Sequence, residues 1–235
     1  TFYDNRFITA DAQIIQIEID PEELGRNYPI SVGIEGDAKA VMQGLLEVVR
    51  DAEPRRNQPW VEDIGDWHTR RNDRLENEGK LDSPLIKPQR VYAELRNVMP
   101  RDAIVALDAG VGPNFGQDRL NFYEPRSLLT SLDLGGLGFS FPAALGAKLA
   151  APARPVINFN GDGGFLFNAQ EFATAVRYGV KVITVVLNND CWGSEKAYQR
   201  DAFNQRYVEA DINNPRFDKY AEIFSGTGFY VDRPQ

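Results

Sequence analysis

The sequence predicts an α/β protein whose core is an open, mostly parallel sheet with helices on both faces. Two apolar runs, residues 156–160 and 182–187, are each followed by glycine or asparagine residues that end a strand. A helix signal lies between these runs, and strand, helix and strand in this order form a parallel crossover. Oxygen-bearing side chains follow both runs, at the edge where open parallel sheets bind their ligands.

The composition limits the classes of function. The chain has 235 residues, of which 43% are hydrophobic, and this is enough for one sizeable core and part of another. Its net charge of −8 argues against a nucleic-acid partner, since phosphate backbones are bound by clustered Lys and Arg. No stretch approaches the roughly 18 consecutive apolar residues of a membrane helix, so we expect no membrane partner. The single cysteine excludes an internal disulfide and favours a cytoplasmic location.

Residues 1–50 are predicted to be the incomplete carboxyl-terminal part of a central α/β domain. Strands are expected at residues 12–19 and 30–34, and a helix is expected from Asp37, as N-cap, to about residue 49. This segment is too short to form a domain by itself. The chain begins with TFYDNRF and without Met, so we expect a fragment or an incomplete record of a longer protein.

Residues 51–87 are predicted to connect two domains, because they are rich in charged residues and proline. Part of this connection is expected to form an amphipathic helix, since four apolar residues fall near helical spacing: Trp60, Ile64, Trp67 and Leu75. The only histidine, His68, lies in the same stretch. We expect it on a solvated helix face, without a chemical role.

The second domain is predicted to span residues 88–235 and to begin with a helix that Pro88 opens. The apolar face of this helix consists of three residues at helical spacing: Val91, Leu95 and Val98. A strand follows at residues 103–107, and residues 108–114 form a turn at its carboxyl end.

Four further elements complete the predicted domain. A strand is expected at residues 128–131, and a helix at residues 141–147, where small residues allow close packing on a sheet. A helix at residues 215–224 and a strand at residues 229–231 come last. Since the chain stops directly after that strand, we expect a truncated carboxyl terminus.

A single helix is predicted to join the two central strands. Asn168 is its expected N-cap, with Glu171 three residues later in capping-box spacing. Gly179 is the expected residue that ends the helix in a left-handed conformation. The crossover is therefore short.

Asp162 and Asn189 follow the two strands of the crossover, where both side chains can converge on one ion. A carboxylate, a side-chain amide and a backbone carbonyl beyond Asn189 form an all-oxygen set, which suits Mg²⁺ or Ca²⁺ better than zinc. Mg²⁺ takes few protein ligands and completes its shell with phosphate oxygens and water. Glycines at positions 161, 163 and 164 let backbone amides approach a phosphate group. These features predict a diphosphate held through a metal.

The sequence Gly161-Asp162-Gly163, followed after 24 residues by Asn188-Asn189, resembles the cofactor motif of thiamine diphosphate enzymes. A tight turn and an ordinary strand end are the alternative interpretation of these two motifs. The strand, helix and strand in the required places favour the cofactor motif. The resemblance implies thiamine diphosphate and Mg²⁺ as cofactors, with Asp162, Asn189 and the carbonyl oxygen of Cys191 as metal ligands.

Other stretches match family positions that contact the cofactor. The pattern at residues 135–143 resembles one in which a hydrophobic residue, here Leu137, holds the cofactor in a bent shape. The turn at residues 108–114 occupies the place of a diphosphate-contacting loop. Ordinary core packing and a plain turn are the respective alternatives. Beside Asp162 and Asn189, the resemblance implies a cofactor-binding set of ten residues: Gly112, Asn114, Gly136, Leu137, Gly161, Gly163, Gly164, Cys191, Trp192 and Gly193.

The segment that follows Asn189 is where members of the family differ most. We do not expect Cys191 to be a nucleophile, because no histidine lies nearby in the sequence to activate it. The run from Trp192 to Val208 resembles sulfoacetaldehyde acetyltransferase, which has a similar Trp-Gly-x-Glu-Lys start. A charged helix face over residues 195–206 explains the same pattern.

The resemblance implies a 2-oxo acid carboligase or decarboxylase of the acetolactate synthase group, with this chain supplying the diphosphate-binding half-site. In that group the proton-relay Glu lies in an aminopyrimidine-binding domain of the same or another subunit, which we do not find in this sequence. We therefore expect no catalytic side chain here, a homodimeric or homotetrameric assembly, and a small 2-oxo acid or aldehyde substrate. The alternatives are a sulfoacetaldehyde acetyltransferase and a non-catalytic cofactor-binding subunit of a split enzyme.

Overall fold

The computed structural model describes residues 8–9, 11–52, 58–131 and 134–234. The TFYDNRF stretch lies outside the described residues. The chain divides into two compact units, Thr1–Ile64 and Gly65–Gln235. The predicted domain boundaries at residues 50 and 87 stay predictions.

The described residues of the first unit include a pair of parallel strands, a short 3-10 helix (Pro21–Glu23) and a longer helix. Strand β1 (Ile15–Glu18) pairs in parallel with β2 (Val32–Glu35), and α1 (Ala38–Val49) follows. The side chain of Asp37 accepts a hydrogen bond from Ala40 N at 3.1 Å, which confirms it as the N-cap. Both strands are shorter than predicted, and Ile15 at the end of β1 is 62% exposed.

A 22-residue helix, α2 (Gln58–Gly79), replaces most of the predicted connection. The helix itself confirms the prediction, although Trp60 and Trp67 are 63% and 54% exposed. His68 is exposed and makes an edge contact with Trp67. Only some of the apolar residues of α2 therefore face inward, whereas an amphipathic helix would require this of all of them.

The second unit contains a four-stranded sheet in which every pairing is parallel, in the order β4-β3-β5-β6. The strands are close to their predicted positions: β3 (Ile104–Leu107), β4 (Leu128–Thr130), β5 (Val156–Gly161) and β6 (Ile183–Leu187). Helices cover both faces of this sheet. The predicted α/β fold class is confirmed.

Helices α3 (Pro88–Val98) and α4 (Val111–Arg119) lie on one face. The core on this side is built around Tyr92, which is fully buried and lies 4.8 Å from Phe159 between ring centroids. Val98, predicted for the apolar face of α3, is instead 78% exposed. The prediction was wrong for this residue: Val98 is the last residue of α3, and only Val91 and Leu95 pack against the core around Tyr92.

Helix α5 (Ser140–Ala150) packs on the other face, where Ala144 is fully buried against Ile104 and Ala106. This confirms the prediction that small residues bring the helix close to the sheet. Beside it, Phe141 and Phe165 form the centre of a second aromatic core.

The crossover between β5 and β6 contains two helices rather than the single predicted one. Helix α6 (Asp162–Phe167) begins immediately after β5, and α7 (Glu171–Tyr178) follows. The N-cap prediction for Asn168 is wrong: its amide nitrogen donates to the carbonyl of Gly138 at 2.9 Å, and its backbone ends α6. Gly179 has a φ of 64°, which confirms the predicted left-handed end.

The carboxyl-terminal part contains α8 (Gly193–Ala202) and α9 (Phe217–Ile223). The strand predicted at residues 229–231 is wrong, since these residues adopt no strand and Phe229 is 83% exposed. A short apolar run forms a strand only where another strand pairs with it. Across the described residues, no helix is long and apolar enough to cross a membrane.

Candidate functional site

The candidate site lies at the carboxyl ends of β5 and β6. In the sheet, Gly161 is paired with Leu187, so both strands end at the same level. Asp162 follows the first strand, and Asn188 and Asn189 follow the second. Parallel register thus brings together two motifs that are 27 residues apart, as the sequence predicts.

Asp162 is 98% shielded from solvent, and its two oxygens face different groups. Its Oδ2 accepts hydrogen bonds from Asn189 N at 3.3 Å and from Asn214 Nδ2 at 2.7 Å. Its Oδ1 faces the end of the Asn189 side chain at 3.3 Å. The carboxylate is therefore held on one side and directed toward Asn189 on the other.

The contacts of the Asn189 side-chain amide test whether a cation fits between the proposed ligands. The terminal atom that faces Asp162 Oδ1 at 3.3 Å is also 3.0 Å from the carbonyl oxygen of Cys191. A nitrogen in this place donates to both oxygens. An oxygen in this place accepts from Cys191 N at 3.3 Å and completes a set of three oxygens that can hold a cation between them. The cis oxygens of an Mg²⁺ octahedron are about 3 Å apart, given bonds of about 2.1 Å. The residues present therefore fit Mg²⁺.

The donor set combines one carboxylate, one amide and one backbone carbonyl. Within the described part of the chain, no cluster of three His, Cys, Asp or Glu side chains is suited to a metal ion. A site with a single charged ligand leaves most of the ion's charge for an anionic partner such as a phosphate group.

A sharp turn carries Asn189 and Cys191. Asp190 has a φ of 53°, a left-handed conformation that is uncommon outside glycine, and its N–H donates to Asn188 Oδ1 at 3.4 Å. This turn directs the Cys191 carbonyl back toward Asn189. Backbone strain at a ligand-bearing turn is a frequent feature of functional sites.

Burial raises the pKa of the Cys191 thiol, and Lys196 only partly opposes this. The thiol therefore stays protonated at neutral pH and is a poor nucleophile. This agrees with the expectation that Cys191 is not a nucleophile, and the role of its carbonyl oxygen stays a prediction.

The proposed ligand atoms of Asp162, Asn189 and Cys191 are called the oxygen cluster. Trp192 and Phe167 form an apolar wall beside this cluster. Their rings meet edge to face with centroids 6.0 Å apart. A Cβ on Gly163 would lie 2.4 Å from the Trp192 ring, so only glycine allows this packing. The two aromatic residues line an open groove of about 530 Å³ together with Gly163, Leu166, Ile212 and Asn213.

Gly163 and Gly164 are buried in the first turn of α6. The first amides of a helix have no intrahelical carbonyl partner and are available to an anion. A Cβ on Gly164 would make only ordinary contact with Asp108, at 3.5 Å from its Cγ. Gly163 is thus the position where the fold requires glycine.

Asp108 is a fully buried carboxylate at the carboxyl end of β3 that sequence reasoning did not select. It accepts hydrogen bonds from Ala109 N at 2.7 Å, Gly138 N at 3.1 Å, and Ser140 N and Oγ at 3.3 and 2.9 Å. Burial raises its pKa, and these hydrogen bonds oppose the rise. Asp108 thereby fixes the loop that carries Leu137.

The remaining predicted cofactor residues are placed at different distances from the oxygen cluster. Gly112 packs beside β6, since a Cβ there would lie 3.0 Å from Leu187 Cδ1. Gly193 begins α8, and a Cβ on it would lie 3.3 Å from Asn189 Nδ2. Asn114 is exposed on α4, where its side chain contacts Gln117.

Two predicted residues lie in the loop that Asp108 fixes. Leu137 is half-buried there, and the carbonyl of Gly136 accepts from Ser131 Oγ at 3.1 Å. Cofactor contact stays a prediction for every residue of the predicted set.

The structure adds Asn214 to the candidate site, a residue that sequence reasoning missed. Asn214 lies 52 residues after Asp162, in a stretch whose Asn-Asn-Pro sequence indicates only a turn. For Asp108 a signal existed, because a carboxylate directly after a fully apolar strand occupies the ligand-binding edge of a parallel sheet.

A parallel α/β sheet with a cluster of oxygen atoms and an apolar groove at its carboxyl edge has the architecture of a cofactor-binding domain. Residues 108–235 match the sequence family described as thiamine pyrophosphate enzyme, C-terminal TPP binding domain. The chain belongs to the family of thiamine pyrophosphate enzymes, which confirms the predicted resemblance.

Among curated proteins, relatives include two kinds of enzyme. The chain is 32% identical over 241 residues to sulfoacetaldehyde acetyltransferase of Castellaniella defragrans, covering 95% of this chain and 40% of that protein. It is 35% identical over 237 residues to the probable acetolactate synthase large subunit of Methanocaldococcus jannaschii, covering 98% of this chain and 39% of that protein. The chain thus spans about two fifths of the length of these relatives.

An acetolactate synthase isozyme 3 large subunit of Escherichia coli K12 is 31% identical over 231 residues, covering 95% of this chain and 39% of that protein. Relatives of both kinds therefore match nearly the whole chain at similar identity.

Proposed function

We propose that this chain supplies the diphosphate- and Mg²⁺-binding half of the active site of a thiamine diphosphate-dependent enzyme. The reaction we propose is that of a 2-oxo acid carboligase or decarboxylase of acetolactate synthase type. The observation that carries the proposal is the position of the Asn189 amide at the sheet edge, 3.3 Å from Asp162 Oδ1 and 3.0 Å from the Cys191 carbonyl oxygen.

Thiamine diphosphate, when bound, supplies the carbon nucleophile that attacks a substrate carbonyl. Asp162, Asn189 and the Cys191 carbonyl hold Mg²⁺ in this proposal, and the metal neutralises the diphosphate in a chain whose net charge is −8. The amides of Gly163 and Gly164 bind diphosphate oxygens. Leu137 supports the organic part of the cofactor from the loop that Asp108 fixes.

The proposed enzyme is cytoplasmic and works as a homodimer or homotetramer in which an aminopyrimidine-binding domain completes the site. Exposed apolar residues beside the groove support a covering partner: Leu166 is 39% exposed and Phe167 is 55% exposed. The proton-relay Glu belongs to that partner domain in our proposal, so the chain alone is inactive. Turnover of a 2-oxo acid by the purified 235-residue chain would contradict this part of the proposal.

The site assignment is tested by calorimetric titration of the 235-residue chain with thiamine diphosphate, with and without Mg²⁺. We expect binding that depends on Mg²⁺ and that Asp162→Ala abolishes, because the substitution removes the only charged ligand of the set. Asn121→Ala is the matched control, since Asn121 is an exposed loop residue outside the cluster. Equal binding by wild type and Asp162→Ala would remove the basis of the proposal.

A sulfoacetaldehyde acetyltransferase is the second candidate function. It is favoured by the Trp-Gly-Ser-Glu-Lys start of α8 and by two relatives of this name, at 32% and 33% identity. Assay of the full-length protein separates the candidates. Acetolactate formation from pyruvate supports the synthase, whereas sulfite release from sulfoacetaldehyde in the presence of phosphate supports the acetyltransferase.

A further inference from the structure

Asn214 lies beside the candidate metal site and is part of no predicted ligand set. Its Nδ2 is 2.7 Å from Asp162 Oδ2, 2.7 Å from Asn188 Oδ1 and 3.0 Å from Asp190 Oδ1. An amide nitrogen carries two protons, so three acceptors compete for two hydrogen bonds. One neutral side chain thus ties the end of β5 to the turn that follows β6.

Backbone pairing explains how a distant residue reaches this place. Trp192 N donates to the carbonyl of Ala210 at 2.8 Å, and Ile212 N donates to the carbonyl of Asp190 at 3.0 Å. These antiparallel contacts hold residues 210–212 against the ligand-bearing turn. Asn214 follows two residues later, and its side chain reaches Asp162.

The two oxygens of Asp162 have separate partners, and this determines what Asn214 does. Oδ2 accepts hydrogen bonds from Asn214 Nδ2 and Asn189 N, whereas Oδ1 faces the Asn189 side chain, which also contacts the Cys191 carbonyl. The hydrogen bonds to Oδ2 fix the rotation of the carboxylate about its Cβ–Cγ bond. Oδ1 is therefore the oxygen presented to a cation.

The same amide holds two further acceptors close to Asp162. Asn188 and Asp190 flank Asn189, so their hydrogen bonds to Asn214 limit the movement of the turn that carries two of the three proposed ligands. Asn214 Oδ1 is shielded from solvent and has no partner among the described residues. The side chain is thus oriented by its nitrogen, which all three acceptors surround.

We propose that Asn214 is a positioning residue that orients the Asp162 carboxylate and the Asn188–Asp190 turn for metal binding. This inference deepens the proposed function and rests on it. Hydrogen-bond donors to metal-ligating carboxylates commonly contribute about 10- to 100-fold to metal affinity. Asn214 acts through Asp162 and does not itself contact the cation.

The test titrates Mg²⁺ into the 235-residue chain in the presence of excess thiamine diphosphate, and calorimetry measures the binding. Asn214→Leu keeps a similar shape and removes the donor, and Asn121→Ala is the control at an exposed asparagine. We expect Asn214→Leu to raise the Mg²⁺ concentration for half-saturation about 10- to 100-fold. The control is expected to stay within about twofold of wild type, since Asn121 lies outside the cluster.

Thermal unfolding without Mg²⁺ separates positioning from a purely structural role. A positioning residue shifts the Mg²⁺ half-saturation of chains that remain folded at the titration temperature. A lower unfolding midpoint with unchanged half-saturation would overturn the inference. Because a bulky Leu can disturb packing by itself, Asn214→Ala is measured in parallel, and it must show the same loss of Mg²⁺ affinity.

Failure of this inference differs from failure of the proposed function. If wild type requires Mg²⁺, Asp162→Ala does not bind and both Asn214 variants bind like wild type, the role of Asn214 is wrong and the site is right. If wild type binds no cofactor in the presence of Mg²⁺, both the site and the role of Asn214 are wrong.

Discussion

Two buried carboxylates lie at the same edge of the sheet, and their surroundings differ. Asp108 follows β3 and Asp162 follows β5, and these strands are neighbours. They are 0% and 2% exposed. Asp108 accepts hydrogen bonds at both oxygens from Ala109, Gly138 and Ser140. Asp162 accepts from Asn189 N and Asn214 at Oδ2 only, and its Oδ1 faces the Asn189 amide near the Cys191 carbonyl.

This difference separates a carboxylate that fixes a loop from one that we propose as a ligand. Hydrogen bonds from Ala109, Gly138 and Ser140 occupy both oxygens of Asp108, so Asp108 holds a loop in place. Asp162 is held at one oxygen and leaves the other in an oxygen-rich cluster. Burial alone does not distinguish the two carboxylates, whereas the number of oxygens that accept hydrogen bonds does.

The largest expected effect on stability is that of Asp108→Ala. The substitution leaves the buried N–H groups of Gly138 and Ser140 without an acceptor, and each such loss costs about 1–3 kcal/mol. We expect the free energy of unfolding to fall by about 2–4 kcal/mol, measured by urea denaturation.

Asp162→Ala, at the end of the neighbouring strand, is the matched substitution for this measurement. In metal-free chain we expect the free energy of unfolding to change by less than about 1 kcal/mol, because the lost hydrogen bonds are few and partly exposed. If Asp162→Ala destabilised the metal-free chain as much as Asp108→Ala, the distinction between the two carboxylates would fail.

A smaller effect is expected in the pH dependence of stability. The pKa of Asp108 in the folded chain is raised above its ordinary value of 3.8, so the folded chain retains a proton that the unfolded chain has lost. Its contribution to stability is therefore fully present below about pH 3.8 and is lost as the pH rises through the folded-state pKa.

The Asp108→Asn variant does not titrate and serves as the reference for this contribution. We expect the stability of wild type relative to Asp108→Asn to decline as the pH is raised from about 4, measured as urea midpoints over a pH series. A difference that is constant over the series would show that the folded-state pKa is not raised.

The smallest effect is expected for Cys191→Ser. The proposed ligand is the backbone carbonyl, which the substitution keeps, and the raised pKa leaves the thiol protonated. We expect the Mg²⁺ half-saturation to change by less than about twofold, since no ligand atom is lost. A tenfold loss of Mg²⁺ affinity would instead identify the sulfur as a ligand.

Elements with a local signal were predictable from the sequence. Asp37 as N-cap and Gly179 as helix end are confirmed, because capping depends on residues within one turn of a helix. Asn168 had an equally good capping signal and was wrongly assigned. A short helix after β5 occupies that stretch instead, and the Asn168 side chain bonds to Gly138, 30 residues away.

The residues of the candidate site also divide into some that the sequence predicted and one that it did not. Asp162 and Asn189 were predictable, since strands joined by one short crossover are commonly neighbours in a parallel sheet, as β5 and β6 are here. Asn214 was not, because its place depends on a backbone pairing between residues 190–192 and 210–212 that no local pattern indicates. Cofactor and metal binding themselves stay predictions for these residues.

By itself, the sequence determined the parallel α/β fold, the edge of the sheet that carries the site, and the family. These follow from apolar runs, caps and motif spacing, which act over short stretches of chain. Only the tertiary structure decided which carboxylate is structural, how Asp162 is oriented, and which distant asparagine reaches it. Such contacts join residues 30 to 52 positions apart, and they depend on strand order and packing rather than on local propensity.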